Sequence, residues 1–279
     1  MIRSYKFWYA VLREAWNKFN SDDGWAIASH VALSTLFAIF PFLIFATSIA
    51  GFFELGDFAE TVIHLLFDYW PKVAGEPIAN EIRSVLTVQR GDVLTIGGVL
   101  TLYFASNGVE ALRVALNRSY RQKETRPYWL LRLQSIVFVF IAIIVLMAIT
   151  LLLVLLPLGW QLASRYVPNL VAWGDTVSFW RIAIAFAVLF VALLASHKFL
   201  PAGKRGFVSM LPGISFTMVC WIGGSIGFGA YLQQFADYVS TYAGLAGAMM
   251  GLVFLYMLGL IFILGAEINA ANARLAGSA

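Results

Sequence analysis

Charge is what this sequence has least of. Asp, Glu, Lys and Arg make up 12% of its 279 residues, where an ordinary soluble domain carries roughly 25%. With 61% hydrophobic residues and a mean hydropathy of +0.80, it lacks the polar side chains to cover a water-facing surface. That excludes a soluble globule and leaves an integral membrane protein, with lipid against most of its outer surface. Cysteine is almost absent. Cys220 stands alone, which excludes an internal disulfide and any zinc or iron–sulfur site built on several thiolates. The three histidines, His30, His64 and His197, lie far apart and give no metal spacing. There is no GxSxG elbow, no HExxH and no Walker loop, so an ATP-driven pump within this chain is excluded. No catalytic residue, metal or other cofactor is expected. The acidic residues do not cluster as a two-metal nuclease site would, and no soluble part is large enough to hold RNA.

What is present is a set of long uncharged runs. Val31–Phe53 has 23 residues without a charge, and Leu133–Ser164 has 32. About 20 apolar residues cross a bilayer as a helix, so the runs predict six spans: 31–53, 93–112, 135–157, 179–197, 208–232 and 244–266. Helix is required, because lipid cannot satisfy open backbone N–H and C=O groups. None of the runs alternates as the strands of a membrane barrel do. The expected fold is therefore all-α and polytopic. A five-span variant, with the second run re-entrant, stays open because Asn107, Glu110 and Arg113 make the end of that run polar.

Charge placement sets direction. The segments 1–30, 113–134, 197–207 and the tail 269–279 hold 14 of the 19 Lys and Arg residues. The positive-inside rule puts both termini in the cytoplasm. The net charge of +4 then reads as topology, and nucleic acid is not an expected partner. Loop 54–92 falls outside, with seven Asp and Glu against three Lys and Arg. Helical spacing of Phe58, Val62, Leu65 and Leu66, and of Ile78, Ile82, Val85 and Leu86, predicts two short helices there. The first 20 residues lack the apolar core and cleavage site of a signal peptide. Tyr5, Trp8, Tyr9, Leu12, Trp16 and Phe19 form an aromatic stripe on an N-terminal amphipathic helix. That helix either lies on the inner leaflet or packs against the cytoplasmic ends of the bundle. Trp25, Trp70, Trp129, Trp160, Trp173 and Trp180 fall near span ends, where amphipathic rings prefer to sit.

Ionisable groups at or within spans are costly and so are site candidates. Glu267, just before Asn269, takes either a substrate role or a structural ion pair. Asn107, Glu110, Arg113 and Asn117 share a helix face, with Glu110 and Arg113 spaced to pair. That face either lines a water-filled cavity or is a solvated helix end. Pro41 and Pro212-Gly213 are candidate helix breaks or hinges, or simply shape packing. Gly223, Gly227, Gly244, Gly247 and Gly251 carry small-xxx-small spacing, for internal packing or for a seam between copies in a homo-oligomer. Arg118, Arg121, Arg126, Lys204 and Arg205, with Lys123 and Arg132, form a basic inner surface that would attract a phosphate-bearing headgroup.

Taken in order, these motifs resemble the YihY/BrkB family of bacterial inner-membrane proteins. Ala32-Leu33-Ser34 leads to Phe40-Pro41-Phe42, followed by Asn117-Arg118-Ser119-Tyr120 and Arg126-Pro127. Pro201, Lys204, Leu211-Pro212-Gly213, Tyr242-Ala243-Gly244 and Gly265-Ala266-Glu267-Ile268-Asn269-Ala270 complete the pattern. The likeness covers roughly 20–275, and the His30-Val31 pair departs from it. The resemblance implies a six-helix inner-membrane fold. It also implies a link to movement of envelope lipid or lipopolysaccharide precursor. The ribonuclease label attached to the family finds no nuclease chemistry in these residues. The expected function is thus transporter-like, with a non-transporting envelope scaffold as the alternative and an intramembrane enzyme as a third reading.

Overall fold

The computed structural model describes residues 5–52, 91–167, 172–234 and 243–277; for 40–52, 91–95, 165–166, 233–234 and 243–246 it describes the backbone alone. Loop 54–92 and its expected helices lie outside these residues, apart from its last two, as do Trp70 and Tyr242. Every regular element among the described residues is helical. In chain order these are α1 (Tyr5–Ser21), α2 (Gly24–Phe52), α3 (Gly91–Ser119), α4 (Tyr128–Thr150), α5 (Leu156–Tyr166), α6 (Gly174–Phe199), α7 (Phe207–Gln234) and α8 (Ala243–Gly277).

Four helical stretches among the described residues are long and apolar enough to cross a membrane: Tyr128–Ser164, Gly174–Phe199, Phe207–Leu232 and Gly247–Gly277. Only 6% of the apolar window in the first of these is buried, so most of its Leu, Ile and Val side chains point outward, Leu131 and Val139 excepted. Water would not tolerate a continuous face of that kind, and lipid does. The helices run past the uncharged cores expected for them. The third run does not stop at Pro157: α4 passes through a π-turn, Leu151–Leu155, into α5. The cause is local. Pro157 lacks an N–H and its ring crowds the carbonyl one turn back, and a wider turn accommodates both. Leu156 N–H accordingly donates to Leu151 O, five residues back. At Pro41 and Pro212 the helical backbone is likewise continuous through the proline.

The chain divides into two compact units, residues 34–107 and residues 1–33 with 108–279. In the smaller unit, Thr101 Oγ1 donates to Gly97 O and Ser106 Oγ to Tyr103 O, each closing back on its own helix. The larger unit holds a core of Phe19, Ala28, Val31, Ala111, Ala115, Leu116, Leu193, Leu200, Met210, Ile214, Phe262, Ile263 and Ala266. Small residues from α2, α3 and α8 let the backbones approach. A Cβ on Gly213 would sit 1.9 Å from Gly265 O, and one on Gly265 would sit 2.1 Å from Thr217 Oγ1. The tight contact between α7 and α8 therefore runs through Gly213 and Gly265. At Gly223, Gly227, Gly247 and Gly251, expected to pack helices, a Cβ would meet no described atom within 4 Å. Gly244 lies where the backbone alone is described.

In this unit the N-terminal ends of α2, α4 and α7 meet the C-terminal ends of α3, α6 and α8. Helix α1 packs Val11 and Ala15 on Ile268 and Ala271 of α8, and Glu14 pairs with Arg274 at 3.0 Å.

Candidate functional site

The buried polar residues gather where those six helix ends meet. The turn after α3 organises them. Gln122 N–H donates to Asn117 O at 2.8 Å and Arg121 N–H to Arg118 O at 3.0 Å. This is the Schellman end of a helix, which places one residue in the left-handed region, normally a glycine. Here that residue is Arg121, with φ of 54°. Its side chain is what the position gains: Nη1 lies 3.1 Å from Glu267 Oε2 and Nη2 lies 2.9 Å from Asp22 Oδ2. Asp23, also left-handed at φ 54°, pairs with Arg118 at 3.1 Å. Glu267 is 1% exposed, so the guanidinium of Arg121 is the charge that compensates it. Arg121 thus joins the α1–α2 turn to α8.

A second group lies along α3 and the loop to α4. Glu110 and Arg113 pair at 2.7 Å, as their spacing predicts, and Arg132 reaches Glu110 at 3.4 Å. Asn117 donates from Nδ2 to Glu124 Oε2 at 3.0 Å and accepts Ala202 N–H on Oδ1 at 2.7 Å. Arg126 holds Glu124 at 2.7 Å and also donates to Gln134 and to Leu200 O. The hydrogen bonds from Arg126, followed by that from Asn117, outweigh the desolvation of Glu124 and hold its carboxyl at about 2, well below the ordinary 4.5.

The third group connects α6, α7 and α8. Tyr120 Oη lies 2.8 Å from His197 Nδ1, and Asn269 Nδ2 donates to the same hydroxyl at 3.3 Å. Asn269 Oδ1 accepts Gly213 N–H at 2.6 Å, and Asn272 Nδ2 donates to Ser209 O at 3.5 Å. Gly213 N–H and Ser209 C=O are the pair that one α-helical turn joins, and Pro212 lies within that turn. Two asparagines of α8 thus close over the proline site in α7. The Arg205 guanidinium sits 4.5 Å from the Tyr120 ring centre. It donates to the carbonyls of His197, Pro201 and Ala202, capping the end of α6. Burial pushes the Tyr120 hydroxyl up and the Arg205 guanidinium down from their usual values.

The structure places Glu110, Arg113, Asn117, Glu267 and Asn269 of the expected lining in this region, each hydrogen-bonded within the chain, while Arg113 Nε and Nη1 and His197 Nε2 are buried with no hydrogen-bond partner among the described residues. Asn107 lies at the end of the other unit. Of the basic residues expected to attract a headgroup, Arg118, Arg121, Arg126 and Arg205 are engaged within the chain. Lys204 is exposed. Sequence reasoning missed Asp22, Asp23, Tyr120, Glu124 and His197 as members. The Asp22-Asp23 pair at a helix junction and Tyr120 next to Asn117-Arg118 were the available signals. Among the described residues no group of three His, Cys, Asp or Glu side chains is placed to hold a metal ion.

The sequence model of the family described as virulence factor BrkB matches residues 15–278. A Bacillus subtilis protein named as ribonuclease-like, YfkH, is 29% identical over 93% of this chain and 94% of its own length. A UPF0761 membrane protein of Rhodospirillum centenum is 28% identical over 93% of this chain, which spans 56% of that relative's length. A UPF0761 membrane protein of Aliivibrio salmonicida is 22% identical over 88% of this chain and 77% of its own length. No solved structure matches.

Proposed function

This chain belongs to the virulence factor BrkB family of membrane proteins, and on that premise we propose that it is a transporter-like protein of the bacterial inner membrane. Its substrate is a lipid or another amphipathic anion, such as a lipopolysaccharide precursor, moved between leaflets. The six spans alternate in direction, with both termini and the polar junction on the cytoplasmic side. Two features support that topology: helix starts and ends alternate at the junction, and most of the Lys and Arg residues fall in the segments around it.

The observation that carries the transport reading is the bridge from Arg121 to the buried Glu267 and to Asp22. Apolar packing would hold such a junction at least as firmly, because a buried ion pair gains little over a hydrophobic replacement. An ion pair differs in one respect: its members hydrate when they separate. That suits a junction that closes the cytoplasmic side in one state and opens in another. The left-handed backbone at both Arg121 and Asp23 agrees, since strain of this kind collects at switching elements.

The scaffold reading has its own support. Most of the polar groups pair with one another within the chain, and among the described residues Gly223, Gly227, Gly247 and Gly251 offer open faces on α7 and α8 to a second copy. Headgroup translocation in liposomes containing purified protein separates the two. Wild type moves a labelled anionic lipid, and Glu267→Ala and Arg113→Ala are at least about tenfold slower. No movement by folded wild type leaves the scaffold. Equal movement by all three removes the site assignment and keeps transport.

A further inference from the structure

Helix α1 has two apolar faces, and among the described residues only one is buried. Val11, Ala15 and Phe19 are buried, the first two against Ile268 and Ala271 of α8. About a quarter turn away, at 100° per residue, Tyr5, Tyr9, Leu12 and Trp16 form a stripe at spacings of four, three and four. Tyr9 is 67% exposed and Trp16 48%. Lys6 and Arg13 border that stripe, and both are exposed.

We propose that the Tyr5–Tyr9–Leu12–Trp16 stripe of α1 is immersed in the headgroup–acyl boundary of the adjoining leaflet, with anionic phospholipid as its occupant. Three observations place lipid there. The first is depth. The uncharged run of α8 ends at Ala266, and Ile268 and Ala271, on which α1 rests, lie ~3 and ~8 Å further along at 1.5 Å per residue. An interfacial helix lies at that level, its apolar face ~5–10 Å into the boundary. The second is direction. Trp16 makes an edge-on contact with Trp25, centroids 6.0 Å apart, in the first turn of α2. The stripe therefore adjoins the first turn of α2. Trp25 is itself exposed, and its Nε1 donates to Asn20 Oδ1 at 2.9 Å. The third is chemistry. Tyr and Trp are the side chains that suit a boundary with one wet and one apolar side. Lys6 and Arg13 stand where their stems follow the stripe and their charges reach lipid phosphates. The proposal rests on α8 spanning the membrane and is independent of transport.

The test uses the full chain with Cys220→Ala, reconstituted in nanodiscs containing phosphatidylglycerol, with one nitroxide label at Tyr9→Cys, Leu12→Cys or Asn17→Cys. Labels at 9 and 12 are expected to be more accessible to oxygen than to a water-soluble nickel chelate, and the label at 17 the reverse. Replacing phosphatidylglycerol by phosphatidylcholine is expected to lower the oxygen preference at 9 and 12. Aqueous accessibility at 9 and 12 equal to that at 17 overturns the proposal. So does protection of 9 and 12 from both reagents, which would mean that protein covers the stripe. Tyr5→Cys, at the exposed end of the same stripe, gives the same readout should either substitution prevent folding.

Discussion

Arg121 occupies a backbone position that favours glycine, and its side chain is the reason. A left-handed non-glycine residue costs about 1–2 kcal/mol. A buried carboxylate left without its partner costs about 3–5 kcal/mol, at the low end here because the Arg121 side chain is 30% exposed. Arg121→Gly should therefore relax the backbone and still destabilise the protein by about 2 kcal/mol. Adding Glu267→Gln to Arg121→Gly should recover most of that loss, as read by thermal unfolding in detergent. Equal stability of the single and double variants would mean that Glu267 does not depend on Arg121. Glu124 supplies a pH test. Its carboxyl is held at about 2 against an ordinary 4.5, so its stabilisation is complete above 4.5 and is lost as pH falls toward 2. The unfolding temperature should drop across that window in wild type and drop less in Glu124→Gln. Only part of this was legible in the sequence. Glu110 and Arg113 pair because three residues separate them on one helix. Glu267 finds Arg121 across 146 positions, and no local pattern carries a contact of that span.

At the scale of helices, the contact between α7 and α8 depends on the absence of two side chains. Gly213→Ala puts a methyl 1.9 Å from the backbone oxygen of Gly265, which only a shift of a whole helix can relieve. It should cost about 1–3 kcal/mol and lower the unfolding temperature. Gly223→Ala meets nothing described within 4 Å and should be neutral or stabilise by up to about 1 kcal/mol. The spacing rule pointed to Gly223 and passed over Gly213, which stood only as part of a helix break beside Pro212. It reports which residues are small and not which way they face, and the helix phase that decides this is set by neighbours distant in sequence. The prolines teach the same lesson. Pro212 was expected to break or hinge its helix, and Pro157 to end its span. How each adapts depended on context: Asn269 and Asn272 close over the first, and a π-turn precedes the second.

For the whole molecule, composition and the placement of charges carried the class. The uncharged runs locate four apolar helices whose outer faces only lipid accommodates. The polar junction was harder to read, because its members come from segments 20–28, 110–134, 197–213 and 267–272 and meet only when helix ends converge. Its proposed role is to close the cytoplasmic side and to open during transport. The direct test fixes it shut at its exposed edge. In a Cys220→Ala background, Asp23→Cys and Arg118→Cys are joined by a short bis-methanethiosulfonate reagent before reconstitution, and translocation of a labelled anionic lipid is followed in liposomes. The bridged protein should move headgroups at least about tenfold more slowly than the unbridged protein, and reduction should restore the rate. Movement at an unchanged rate with the bridge in place would contradict the assignment of this junction as a gate.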